Sequence, residues 1–231
     1  MSHIHLIGGE KGGVGKSLVS RILAQYFIDK GLPFAAFDSD KSHGSLIRFY
    51  GQFSQPVDTG ELESLDRIVE SAAEDTNRRV LVDLAAQTQE GLAKWIDDSG
   101  VFDVTQELGI GLSYWHVMDA GRDSVDLLTS LLDRFAGRLP LVIVLNELRG
   151  DKFELLTTSG QRERALSAGA KIVSLRKLPD VTMQKMDALS TSFWAAVHHP
   201  DRASTGLGVL ERQRVKVWLA RAYEEIDRIG V

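Results

Sequence analysis

The chain has 231 residues, of which 43% are apolar and 26% charged, and a formal net charge of −5. That length supports one sizeable hydrophobic core, and the acidic balance excludes a protein that coats nucleic acid with its whole surface, although a local basic patch stays open. Cysteine is absent, which excludes a disulfide framework, a thiolate metal site and a cysteine nucleophile.

Taken in order, "HIHLIGG" reads as a strand, and "KSLVSRILAQYFIDKG" as a helix that buries Leu18, Ile22, Leu23, Tyr26 and Phe27 and ends at Gly31. "PFAAFDSD" is a second strand finishing on two carboxylates. "SLDRIVESAAED" predicts a helix with Ser64 as its cap, followed by the strand "RRVLVDLAA". "LSYWHVMD", "LPLVIVLNEL" and "AKIVSLRKL" are three further strands, with helices predicted over "DSVDLLTSLLDRFAG" and "KFELLTTSGQRERALSAG" between them. Two helices close the chain, "TMQKMDALSTSFWAAVHH" and "GVLERQRVKVWLARAYEEIDRI". "YGQFSQPVDTGEL" and "HHPDRASTGLG" are expected as loops, and neither has the composition of a domain linker. Short apolar runs alternating with longer amphipathic ones define repeated βα units, so one α/β domain over 1–231 is expected: a doubly wound, mostly parallel sheet with helices on both faces. No secretion leader and no run of about 18 apolar residues occurs, so a cytoplasmic protein is expected.

The stretch "GGEKGGVGKS" lies between the first strand and the first helix. A glycine-rich loop there turns its backbone N–H groups inward around phosphate oxygens, and the helix start adds its positive dipole end. The residues offered to a nucleotide are Gly12, Gly13, Val14, Gly15, Lys16, Ser17 and Leu18, with Lys16 reaching the β- and γ-phosphates and the Ser17 hydroxyl on Mg²⁺. Glu10 stands where the ordinary pattern has its first glycine. A second lysine, Lys11, lies at the rim of the loop rather than against its own phosphates. Asp83 ends a buried apolar strand, where a lone carboxylate is costly without a partner.

The run "KGGVGKS" resembles the deviant Walker A motif of the ParA and MinD ATPases, with a likeness from His3 through about Ala196. The resemblance implies an ATP- and Mg²⁺-dependent enzyme whose two copies close face to face over ATP, Lys11 touching the partner's nucleotide. It further implies that Asp40 orients the attacking water while Asp38 supports the Mg²⁺ shell, each with the alternative of capping the next helix. By the same likeness Asp83 is the Walker B carboxylate, contacting Mg²⁺ through water, Asn146 reads the adenine edge, and Pro179 and Asp180 line the base. Two segments depart from the family pattern: Lys41-Ser42-His43 replaces a common Pro-Gln, and Leu84-Ala85-Ala86-Gln87 replaces a common proline pair. Both fall where the family moves with nucleotide state, and they bear on the hydrolysis rate and its stimulating partner.

Within the family, the missing cysteines exclude the iron–sulfur and zinc-dependent branches. The last helix places Val215, Trp218, Leu219, Ala222, Ile226 and Ile229 on one side, but Glu224, Glu225 and Asp227 elsewhere would be repelled by anionic lipid, so core packing rather than membrane anchoring is expected. The chain looks like a small ParA of plasmid or chromosome partition or cargo positioning, binding nonspecific DNA as the ATP homodimer and answering to an unidentified stimulating protein. Arg176, Lys177, Lys185, Arg202, Arg212, Arg214, Lys216 and Arg221 are the residues available to phosphates. The alternative is an accessory ATPase of plasmid mobilisation or conjugative transfer, similar to TraL-like and MobD-like proteins and acting on a protein partner. A metabolic synthetase of the same fold is a third reading, without a recognisable small-substrate cluster to support it. His43, His116, His198 and His199 match no metal-site spacing and are read as surface or core.

Overall fold

In the computed structural model, which describes all residues except 41–43, 136, 200 and 201, seven strands run parallel in one sheet. They are β1 (His3–Gly8), β2 (Phe34–Asp38), β3 (Ser54–Pro56), β4 (Arg79–Asp83), β5 (Gly111–Met118), β6 (Leu141–Asn146) and β7 (Lys171–Leu175), arranged β3-β2-β4-β1-β5-β6-β7. Every pairing is parallel, as the alternating βα pattern requires.

Alternation along each strand divides the core in two. Ile4 and Leu6 of β1, Val80 and Val82 of β4 and Tyr114 of β5 face one way, toward α3 (Leu62–Ala73), α4 (Gln89–Asp98), α5 (Val101–Glu107) and α6 (Arg122–Phe135). Ile7, Leu81, Trp115 and Val117 face the other way, toward α1 (Lys16–Asp29), α2 (Ser45–Tyr50), α9 (Asp180–Ala188), α10 (Phe193–His198) and α12 (Val209–Ile229). Full burial of a Leu, Ile or Phe side chain contributes roughly 1.5–3 kcal/mol, so a sheet covered on both faces holds its strand ends firmly. The buried stripe of α12 is the one predicted, Val215 through Ile229, and it packs on the core. No described helix is long and apolar enough to cross a membrane.

Several local expectations change. Ser64 does not cap α3, which starts at Leu62; its hydroxyl instead accepts the Asp58 N–H at 2.8 Å. The helix predicted over 152–169 is two, α7 (Glu154–Thr158) and α8 (Gln161–Ser167), parted where Gly160 takes a φ of +74°. The helix predicted over 182–199 likewise becomes α9 and α10, because Ser192 accepts the Ala195 N–H and starts a new helix. The expected loop 50–62 contains β3, a three-residue edge strand, and the expected loop 198–208 contains α11 (Arg202–Thr205).

Candidate nucleotide site

β1 ends at Gly8 in the middle of the sheet, between β4 and β5, and the carboxyl ends of the strands open there. Such a crevice is where open α/β sheets bind ligands. The loop that follows is braced from below. A Cβ on Gly8 would overlap the buried Tyr114 side chain, whose hydroxyl accepts the Gly9 N–H. Gly15 has a φ of +98°, and a Cβ there would overlap the Asn146 amide. From one side, Glu10 accepts the Gln89 N–H at 2.9 Å and ties the loop to the first turn of α4.

α1 begins at Lys16 with no side-chain cap and no acidic residue in its first turn, so its first N–H groups and its positive dipole end face the crevice. Lys16 is buried, and its ammonium donates to the Lys11 carbonyl at 3.1 Å. Burial pushes its pKa down from the ordinary lysine value, while the carboxylates of Asp83, Glu10 and Asp40 oppose that shift. A buried lysine ammonium in a glycine loop at a helix N-terminus is the arrangement that receives phosphate oxygens.

Asp38 and Asp83 end neighbouring strands in register and are each 3% exposed. Burial, followed by the charge of Asp38, pushes the Asp83 carboxyl up to about 7, against hydrogen bonds from Ser17 and Ser20 and the charge of Lys16. Asp83 Oδ1 is buried without a hydrogen-bond partner. An orphaned carboxylate oxygen beside the Ser17 hydroxyl is a hard-oxygen donor set, and it fits Mg²⁺. Among the described residues no group of three or more His, Asp or Glu could hold a metal ion.

Asp38 makes helix-capping contacts. Its Oδ1 accepts the Asp40 N–H at 3.0 Å, and its Oδ2 accepts the Leu46 and Ile47 N–H groups at 2.8 and 3.2 Å at the start of α2. Asp40 lies one residue past Ser39 at the same rim, its carbonyl accepting the Gly44 N–H at 3.1 Å. The departing segment Lys41-Ser42-His43 lies outside the described residues. Asn146 is almost fully buried; its amide donates to the Val14 carbonyl at 2.7 Å, and its oxygen accepts the Leu148 N–H at 3.3 Å. Pro179 and Asp180 begin α9 beyond β7, three strands from β1, with Asp180 paired to Lys177 at 2.9 Å.

The two lysines occupy different places. Lys11 leaves the loop interior and lies 3.2 Å from Asp119 and 3.5 Å from Asp123. Asp119 ends β5's side of the crevice, and Arg149 approaches it from the other flank at 3.4 Å. The sequence reading passed over Asp119 and Arg149. One signal was present: Asp38, Asp83 and Asp119 each close an apolar strand run, and only the first two were singled out. Of the basic surface, Lys185 is paired with Glu211 at 2.6 Å and Arg212 donates to the His199 carbonyl at 2.9 Å, while Arg176, Arg214, Lys216 and Arg221 are exposed. The side chain of Arg202 lies outside the described residues. His116 is core, and His198 is exposed beside Trp194.

A parallel sheet, a braced glycine loop and a buried lysine at a helix start together define a P-loop nucleotide-binding protein. The family described as the CobQ/CobB/MinD/ParA nucleotide binding domain matches residues 6–186, and the chain belongs to it. Protein TraL of Escherichia coli is 26% identical, with 100% of both chains covered. Protein MobD of Acidithiobacillus ferrooxidans is also 26% identical, over 77% of this chain and 78% of its own. The structure of the MinD cell division protein of Aquifex aeolicus covers 97% of each chain at 14% identity with a TM-score of 0.51, a likeness of fold.

Proposed function

We propose that the protein is a Mg²⁺-dependent ATPase that works as a dimerisation switch, in the service of a plasmid mobilisation or transfer apparatus. One observation carries the switch: the loop's two lysines are divided, Lys16 turned into the phosphate cradle and Lys11 turned out to the rim beside Asp119. A rim lysine adds nothing to its own phosphates, but it faces the surface a second copy would cover. The full-length likeness to TraL and the likeness to MobD support the setting.

In this reading Lys16 and the first N–H groups of α1 hold the phosphate chain, and the loop backbone wraps it. Mg²⁺, when bound, supplies charge neutralisation at the β- and γ-phosphates. The Ser17 hydroxyl and the Asp83 carboxylate are the residues that would hold it. Asp38 acts through the backbone it fixes, setting the course of the chain from Asp40 to the start of α2. Asp40 accepts a hydrogen bond from the attacking water and aligns it with the γ-phosphate. Hydrolysis then removes the group that Lys11 of the other copy holds, and the pair separates.

Partition is the second reading, with nonspecific DNA as the surface. The exposed Arg214, Lys216 and Arg221 on α12 favour it. One experiment separates the two: the solution mass of Asp40→Ala with ADP and then with ATP and Mg²⁺, followed by a gel shift on random-sequence DNA. A dimer only with ATP that ignores DNA supports the transfer reading. A dimer that shifts DNA only with ATP moves the protein to partition. A monomer with both nucleotides removes the switch.

A further inference from the structure

Asp119 is a heavily engaged carboxylate at the crevice, and nothing in phosphate binding requires it. Its side chain is only 5% exposed. Oδ1 accepts the Ser124 hydroxyl at 2.7 Å and the Gly121 N–H at 3.1 Å, which fixes the group in place. Lys11 Nζ lies 3.3 Å from Oδ1 and 3.2 Å from Oδ2, and the exposed Asp123 carboxylate is a further 3.5 Å contact. Arg149 reaches Oδ2 from the opposite flank at 3.4 Å, its guanidinium lying over Gly13. Two cations from two loops therefore share one immobile anion.

We propose that Asp119 is a positioning residue that holds Lys11 on its own protomer, and so sets how readily two copies close over ATP. The inference rests on the dimer reading above. Lys11 cannot touch the nucleotide of another copy while it lies on Asp119 and Asp123. Leaving them would strand a buried carboxylate, which is costly unless another cation replaces the lysine. Arg149 is that cation. It is already at Oδ2 and more than half exposed, so it has room to close on the carboxylate as Lys11 departs. Although burial alone would raise the Asp119 carboxyl, Ser124, Gly121 and Lys11 outweigh it and hold the group below the usual carboxylate range while Lys11 lies on it.

Asp119→Asn isolates this role. The asparagine oxygen keeps the bonds from Ser124 and Gly121, and an uncharged NH₂ replaces the oxygen that faces both cations. The measurement is the dimer dissociation constant with ATP and Mg²⁺, by analytical ultracentrifugation, each variant carrying Asp40→Ala so that nucleotide persists. Asp119→Asn tightens the dimer by on the order of tenfold, the size of one partly buried charge contact. Arg149→Ala weakens it, and adding Lys11→Ala to Asp119→Asn abolishes the gain. Asp123→Asn gives a smaller shift in the same direction without touching the buried group, which covers the case of an Asp119 variant that folds badly. Tightening that depends on Lys11 supports the latch, because a merely structural Asp119 would only lose function on substitution. If the parent dimerises through Lys11 and neither Asn variant tightens it, the latch is wrong and the switch stands. If the parent stays monomeric with ATP, or dimerises without Lys11, the dimer reading fails and the latch falls with it.

Discussion

His116 makes the protein acid-labile from inside the sheet. It lies on β5 opposite Gly8, wholly buried, with its Nε2–H donated to the Ser124 carbonyl at 3.1 Å. Burial, aided by the charge of Lys16 and opposed by the Ser124 carbonyl, lowers its pKa from 6.5 to about 4. The folded state thus binds its proton later than the unfolded chain, so acid favours unfolding. The loss begins as pH falls through 6.5 and is complete near 4, where 2.5 pKa units correspond to about 3 kcal/mol. Between about pH 7.5 and about pH 5 the same linkage gives a loss of about 2 kcal/mol from this one group. His3, which burial also lowers to about 4, and His5, which burial lowers well below its ordinary value, act in the same direction. Urea unfolding of wild type and His116→Gln at both pH values separates His116 from that background, because the other groups titrate alike in the two proteins. Gln keeps an N–H donor for the Ser124 carbonyl and cannot take the proton. The wild type should lose about 2 kcal/mol more than the variant over this interval. Parallel losses in the two proteins would refute the reasoning.

Other substitutions test the loop's bracing and its lysines. Gly8→Ala drives a methyl into the Tyr114 side chain and should cost about 1–3 kcal/mol in thermal or urea unfolding; an unchanged midpoint would mean that Tyr114 gives way freely. Asn146→Ala leaves the Val14 carbonyl unpaired, for a loss of about 1–3 kcal/mol. A fluorescent-nucleotide titration of the same variant should weaken for ATP and GTP alike if Asn146 acts by holding the loop, whereas a loss confined to adenine nucleotides would assign it to the base. Lys11→Ala should abolish ATP-dependent dimerisation in light scattering while nucleotide affinity stays near wild type, and a dimer that survives would remove Lys11 from the interface.

Much of this was legible in the sequence because the signals were local. A strand, five glycines within His5–Ser20 and a capless amphipathic helix can be read from one stretch of chain, and the alternation of Ile4, Leu6 and Ile7 with their partners follows from strand periodicity. The short elements escaped for physical reasons. β3 has three residues and a proline, α2 has six residues, and neither is long enough to show a period. α9 and α10 read as one helix because Ser190 and Ser192 look tolerable in a helical pattern until one caps the second segment. The site's cross-links were the least legible. Glu10 to Gln89, Asn146 to Val14 and Lys11 to Asp119 join residues 79, 132 and 108 positions apart, and no spacing rule connects them.

The bracing of the loop has a consequence for switching. Tyr114 beneath Gly9, Asn146 beneath Val14 and Gln89 against Glu10 build the cradle into the folded protein. A seat that is already formed grips the diphosphate common to ADP and ATP in the same way, and equal affinity for two states shifts neither, however tight the grip. In the proposed switch the cradle therefore sets occupancy and carries no information about which nucleotide is present. Discrimination in that switch falls to what lies beyond the cradle: the Asp40 rim, and a lysine placed between its own carboxylate and another molecule's phosphate.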